Sequence, residues 1–302
     1  MTGVEPDSIL RPIERRAATS DAPLRQLLYS VVGQGWWELY QSERWRIMER
    51  TELAETSDDA DPGTWTQQQF MAKVIGAFRN SVEPYDTLRT IPVGDLGELL
   101  VGSLDATELR PWLYDVLAHR AAEIFTNPET RITEPAWRFT LDDPSYFELF
   151  ESFFLRRLEH RDSTAFEFLA LRTYQRLERA HIGDDKLDAY VDVALKRLAF
   201  VHDRSTHPRK DSLHLEALEI LASRLPRDAA WSEVAVAIAS WHAQQGEQFD
   251  RLNGDAWKWE KRTARILCDS AIVRWPGSFG ARNAKALKAR LEQGQLRIEA
   301  EQ

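Results

Sequence analysis

From Thr164 onward the chain is punctuated at short, nearly regular intervals, and this limits its fold more than any other feature. Apolar residues recur at helical spacing in six blocks, at about 165–181, 185–204, 211–225, 230–246, 256–274 and 279–293. The connections between blocks are short, and helices of similar length joined by short loops become antiparallel neighbours, so the blocks are expected to stack as hairpins. A weak internal repeat reinforces this. Pro226 and Pro276 lie 50 residues apart, and each follows an apolar helix. A small residue comes four positions later (Ala230, Gly280) and a large apolar one fifteen positions later (Trp241, Leu291). Small residues near a helix start let two helices approach closely, which is the packing logic of tetratricopeptide-like arrays. The spacing exceeds the 34 residues usual for that repeat. The expected fold class is all-α, with antiparallel hairpins stacked as a tetratricopeptide-like α-solenoid.

The first half is less regular. Residues 1–20 read as a flexible lead-in. Leu24, Leu27, Leu28, Val31, Val32, Trp36 and Leu39 predict a helix with one buried stripe, and Trp45 and Met48 a second, shorter helix. Residues 54–64 are polar and read as a loop. Thr66 and Gln69 have capping-box spacing ahead of Phe70, Val74, Ala77, Phe78 and Ser81. One short helix is expected within 93–108. Pro111 reads as a first-turn proline before the stripe Leu113, Val116, Leu117, Ala121, Ile124 and Phe125, which Asn127-Pro128 ends. Asp143-Pro144 reads as N-cap and first helical residue of a helix carrying Phe147, Phe150, Phe154 and Leu158. Leu296-Arg-Ile-Glu-Ala-Glu301 alternates apolar and charged residues, as a strand does, and a lone strand is not stable. The expected organisation is a lead-in (1–20), an N-terminal helical subdomain (21–160), helical repeats (161–294) and the start of a β segment (295–302).

Composition narrows the function. A chain that is 43% hydrophobic and 29% charged is too apolar to be disordered. A net charge of −9 with acidic and basic residues interspersed opposes nucleic-acid binding, which needs clustered Lys and Arg. The single cysteine, Cys268, excludes an internal disulfide and a cysteine-based zinc site. No stretch is long and apolar enough to span a membrane, and residues 1–20 lack the apolar run of a secretory leader, so the chain reads as cytoplasmic or as cut from a longer precursor.

Few residues suggest chemistry. Asp184-Asp185-Lys186-Leu187-Asp188 resembles the magnesium-binding DDxxD motif of the all-helical terpene and prenyl synthases, but the second acidic cluster those enzymes need is missing, and the preferred reading is that Asp184 and Asp185 cap a helix start. The seven histidines form no HExxH and no i, i+4 pair. Gly33-Gln34-Gly35 lies within a helical stripe, where glycines favour close packing over nucleotide binding. Cys268 shares a stripe with Ala264, Leu267 and Ala271 and reads as core. Trp36, Trp37 and Trp112 are candidates to line a binding groove, but aromatics at helical spacing more often form core. Trp257 and Trp259 flank Lys258 at a helix start and cannot both face one side, so one of them is a candidate exposed anchor for a protein partner.

Four stretches, 27–52 (LLYSVVGQGWWELYQSERWRIMERTE), 109–139 (LRPWLYDVLAHRAAEIFTNPETRITEPAWRF), 196–205 (KRLAFVHDRS) and 274–301 (RWPGSFGARNAKALKARLEQGQLRIEAE), resemble, in the same order, the N-terminal helical region of large bacterial alpha-2-macroglobulin-like proteins of the Bacteroidetes type. The most specific piece is LYDVLAHRA followed by the TEPAWRF segment. In that family the helical region precedes a string of β-sandwich domains in an exported envelope protein. The resemblance therefore implies a cell-envelope or periplasmic location, LRIEAE as the first strand of the string, and adjacent β domains or another protein as partner. The family's thioester sequence is missing, since Cys268 is followed by Asp-Ser, so protease-trapping chemistry does not carry over. The expectation is a non-catalytic scaffold module with no cofactor, the alternative being a stand-alone synthase using Asp184, Asp185 and Asp188 with magnesium.

Overall fold

The computed structural model describes residues 6–48, 62–97, 108–130, 139–184, 187–225, 227–250, 252 and 254–293. Among these residues every regular element is helical, apart from one isolated bridge between Pro92 and Trp112. The helices are α1 (Pro6–Thr19), α2 (Leu24–Met48), α3 (Gln67–Ser81), α4 (Tyr85–Leu88), α5 (Leu113–Phe125), α6 (Glu151–Phe154), α7 (Phe166–His181), α8 (Asp188–Arg204), α9 (Lys210–Arg224), α10 (Trp231–Gly246), α11 (Glu260–Arg274) and α12 (Phe279–Glu292). The chain divides into two compact units, Met1–Phe139 with Leu158–Tyr174, and Thr140–Arg157 with Gln175–Gln302.

In the first unit α2 is the central element, and it takes neighbours on more than one side. Gly35 abuts Leu10 of α1, and a Cβ on Gly33 would lie 2.9 Å from the Phe78 ring of α3. These two glycines are two residues apart and so face roughly opposite ways round the helix. A helix buried on two sides has no single apolar stripe. That is why the predicted one fails. Leu24 and Val31 are exposed, while Gln26, Ser30, Val32, Trp36, Trp37 and Tyr40 are buried. Trp45 and Met48 belong to this same 25-residue helix and begin no second one. Residues 6–19, read as part of a lead-in, form α1, which packs on α2 through Leu10 and Ala17.

The Thr66 capping box forms as the spacing predicts. Thr66 Oγ1 accepts from Gln69 N, and Gln69 Oε1 accepts from Thr66 N at 2.8 Å. Trp65, Trp36 and Phe70 gather behind it, with ring centroids 5.0 and 5.1 Å apart, and Gln67 donates to the Tyr40 hydroxyl. Pro111 is not the first helical residue. Trp112 is the N-cap of α5, and its N–H donates to the Asp115 carboxylate at 2.9 Å. Of the short helix expected in 93–108, residues 98–107 lie outside the described residues; Val93–Leu96 form a 3-10 turn, and Glu108 and Leu109 are helical.

The second unit is organised around one buried cation. Arg197 of α8 and Glu178 of α7 are both fully buried and pair at 2.5 Å. The guanidinium also donates to the carbonyls of Tyr146 and Glu148 and lies 3.7 Å from the Phe153 ring centroid. It therefore fixes the irregular stretch 144–154 against the helices. Burial pushes the Glu178 carboxyl up, and Arg197 and Tyr190 pull it back. The continuous helix predicted over 144–158 does not form. Asp143 caps Ser145 N as expected, but only a 3-10 turn (Pro144–Phe147) follows. Phe150 then turns to φ 53°, donating its N–H to the Tyr190 hydroxyl at 3.0 Å and stacking its ring on that tyrosine, before the single turn of α6. Tertiary bonds to Arg197 and Tyr190 replace the intrahelical ones.

Helices α8 to α12 follow the predicted blocks closely. Each of α9 to α12 contacts the helix before it, and α10 also contacts both α8 and α12. The interior between α10, α11 and α12 is built of small residues, Ala235, Ala239, Ala264, Cys268, Ala271 and Ala284 with Leu287. Close approach is written into two glycines. A Cβ on Gly280 would strike Ser232 and the Glu233 nitrogen (2.5 Å), and one on Gly246 would lie 2.7 Å from Lys261 Cγ. The predicted strand at 296–301 lies outside the described residues.

Candidate functional site

Helix α11 is amphipathic in an unusual sense, because Ala264, Cys268 and Ala271 face inward, with Leu267 and Ile272 packed at the margin of that core, while its other large apolar residues face outward. Trp259 is the N-cap residue, and its carbonyl accepts the first intrahelical bond from Thr263 N at 3.0 Å, so it stands in register with the helix. Ile266 and Val273 follow at intervals of seven, nearly two helical turns each, which places all three on one line. They are 60%, 55% and 79% exposed, whereas Ala264, Cys268 and Ala271 on the opposite face are fully buried. Surface apolar residues scattered singly need no explanation, but an ordered ridge of three does. Trp257 is also exposed, so both candidate anchors face solvent, but only Trp259 joins the ridge. Trp257 precedes the helix in the left-handed region at φ 62°, a conformation that costs a non-glycine residue about 1–2 kcal/mol.

Charges frame the ridge. The Lys258 ammonium and the Arg262 guanidinium stand 5.4 and 5.9 Å from the Trp259 ring centroid. Arg265 pairs with Glu292 at 3.3 Å, and Lys288 with Asp269 at 2.6 Å, which ties α11 to α12 beside the ridge. Cys268 lies behind it. Burial raises its thiol pKa and Asp269 adds to the rise, so the sulfur is held as the non-nucleophilic thiol.

Asp184 bonds the ring of the buried His181 at 2.7 Å, while Asp188 opens α8. Asp185 and Lys186 lie outside the described residues. Asp188 and Asp192 both act on Glu233 of α10. Burial pushes that carboxyl up to about 7, the two aspartates add to the rise, and the Asn283 amide bonded to it opposes it. Among the described residues no three His, Cys, Asp or Glu side chains are placed to hold a metal ion. Trp36 and Trp37 are core, and Trp112 is half-buried at the start of α5.

Sequence reading missed a histidine pair. His202 of α8 and His214 of α9 stack with centroids 4.5 Å apart, and Asp211 bonds the outer ring at 2.7 Å. Burial lowers the His214 pKa to about 4, and His202 lowers it further than Asp211 restores it. A histidine depressed below its unfolded value of about 6.5 contributes stability that is complete above that pH and lost as pH falls toward 4. The full swing is about 3 kcal/mol. In urea unfolding at pH 7 and pH 4.5, His214→Phe should lose about 2 kcal/mol less than the unsubstituted chain between the two pH values. Glu233 titrates in both chains and cancels, so equal losses would mean that His214 is not buried as a neutral ring.

No protein-family model matches this chain, and no curated protein or solved structure shows significant similarity to it.

Proposed function

We propose that this chain is a non-catalytic helical docking module, a tetratricopeptide-like stack that forms the N-terminal part of a larger macroglobulin-like protein of the cell envelope. The observation that carries the docking role is the outward ridge of α11. Large apolar side chains exposed in line, over an interior of alanines, contribute little to the fold that displays them and much to a surface that covers them. The stacking is supported by α10, which packs on α8 and α12 as well as on α9 and α11, so that alternate helices share a layer. Gly280 and Ala230, the paired small residues after each proline, support it too. Ala230 is fully buried and Gly280 meets α10 backbone to backbone. The macroglobulin assignment and the envelope location rest on the four resembling stretches, and adjacent β domains or a separate protein are the partners they imply. Nucleic acid and a membrane span are not part of the reading, and no helix among the described residues is long and apolar enough to cross a membrane.

Site-specific photo-crosslinking in cells that make this protein tests the reading. A photoreactive residue at 266 should give a discrete protein adduct, and one at the buried position 284 should give none. Magnesium-dependent turnover of a prenyl diphosphate, abolished by Asp188→Asn in a chain that still folds, would instead establish the synthase alternative.

A further inference from the structure

The ridge of α11 has a symmetry that points to its partner. At 100° per residue, Arg262 and Asp269 flank the ridge on one side, and Thr263 and Ser270 on the other. When two such helices run antiparallel about a twofold axis at Ile266, each position meets the one equally far beyond 266 in the other copy. Trp259 then faces Val273, and Ile266 faces itself. A twofold keeps like flanks together, so Arg262 falls beside Asp269 of the other copy, within one residue of ideal register, and Thr263 beside Ser270. A parallel pairing would bring unlike flanks together and set Arg262 beside Thr263 of the other copy, with no carboxylate opposite it.

The charges needed are present. Among the described residues Arg262 pairs with no carboxylate and rests on the Trp259 ring. Asp269 bonds Lys288 through Oδ1, while its Oδ2 has only a long 3.9 Å approach from Arg265. Arg265, the cation nearest the twofold axis, is held by Glu292. Three knobs at spacing seven span about 21 Å of helix, which suits one helix–helix contact.

We propose that α11 is the contact between two copies of this chain, an isologous antiparallel pairing centred on Ile266. The proposal rests on the docking reading and names its partner. A single helix pair lies at the small end of specific interfaces, so a dissociation constant on the order of ten micromolar is expected. Residues 257–293 carry nine Lys and Arg against three Asp and Glu, so two copies repel at long range and the dimer tightens as salt rises.

Sedimentation of the full chain between about 1 and 200 micromolar should show growth toward twice the 34.8 kDa monomer mass, and Ile266→Asp should weaken the association at least about tenfold. Cysteine trapping then reads the register. Under mild oxidant Ile266→Cys should form an intermolecular disulfide with itself. Val273→Cys should not, because the two copies of that position lie about 21 Å apart, yet it should cross-link to a Trp259→Cys chain mixed with it. A monomer at every concentration, a dimer insensitive to Ile266→Asp, or self-coupling at 273 with none at 266 would overturn the pairing. If the chain stays monomeric while a photoreactive residue at 266 captures a different protein, docking stands and self-pairing falls. No adduct in cells and no dimer would remove both.

Discussion

Arg197→Leu should destabilise the second unit by about 3–5 kcal/mol. Leucine removes the cation paired with Glu178, a carboxyl with no access to water, and leaves the carbonyls of Tyr146 and Glu148 without their guanidinium donor. It also removes the cation from the face of Phe153. Each loss has the same sign, because an unpaired polar group buried away from solvent costs its full desolvation penalty. For a unit of this size the midpoint of thermal unfolding should fall by about 10 °C or more. The double variant Glu178→Leu/Arg197→Leu separates the parts. With both charges gone the buried ion disappears but the two carbonyls stay orphaned, so it should be more stable than Arg197→Leu alone and less stable than the parent chain. Urea unfolding of the three variants gives the cycle. A single variant within about 1 kcal/mol of the parent would mean that water reaches Glu178.

Gly280→Ala should cost about 2–3 kcal/mol, although alanine is the better helix former by about 1 kcal/mol. The added Cβ meets the backbone of Ser232 and Glu233, not the end of a flexible side chain. The start of α12 therefore has to move away from the start of α10, stretching the bond between Ser232 and Ser278 (2.8 Å) and loosening the packing of Ala281 and Ala284. Gly277, three residues earlier, has nothing within 4 Å of its would-be Cβ. Gly277→Ala is the matched control and should leave stability within about 0.5 kcal/mol. Equal effects at the two positions would mean that backbone entropy, not the close approach, explains the glycine.

These sites show where the sequence was readable. The blocks of α7 to α12 were legible because short linkers and helical periodicity point the same way, and the Thr66 capping box because all its partners lie within four residues. Gly280 was legible as a small residue after a proline turn. Helix α2 was misread because periodicity assumes one buried face, and Gly33 and Gly35 bring neighbours to two. The break at Phe150 was invisible because its causes, Arg197 and Tyr190, lie about 40 residues further along the chain. The His202–His214 stack is tertiary in the same way, created by the antiparallel turn between α8 and α9.

The α11 site was half legible. Trp259 stood out as an aromatic at a helix start, but Ile266 and Val273 pass in sequence for an ordinary core stripe. What distinguishes them is the second stripe on the same helix, Ala264, Cys268 and Ala271. A helix with two apolar faces can bury only one against its own unit, and the alanines of α10 and α12 select the face of small residues, with Leu267 and Ile272 packed at its margin.

The most direct measurement of the docking role is therefore the photo-crosslinking yield from α11 in cells, comparing position 266 with the inward position 284 and repeating 266 in a Val273→Asp chain. A discrete adduct at 266 that disappears with Val273→Asp, with none at 284, is the expected result. An unadducted chain at 266, or an adduct indifferent to Val273→Asp, would mean that the ridge is simply exposed and that this surface docks nothing.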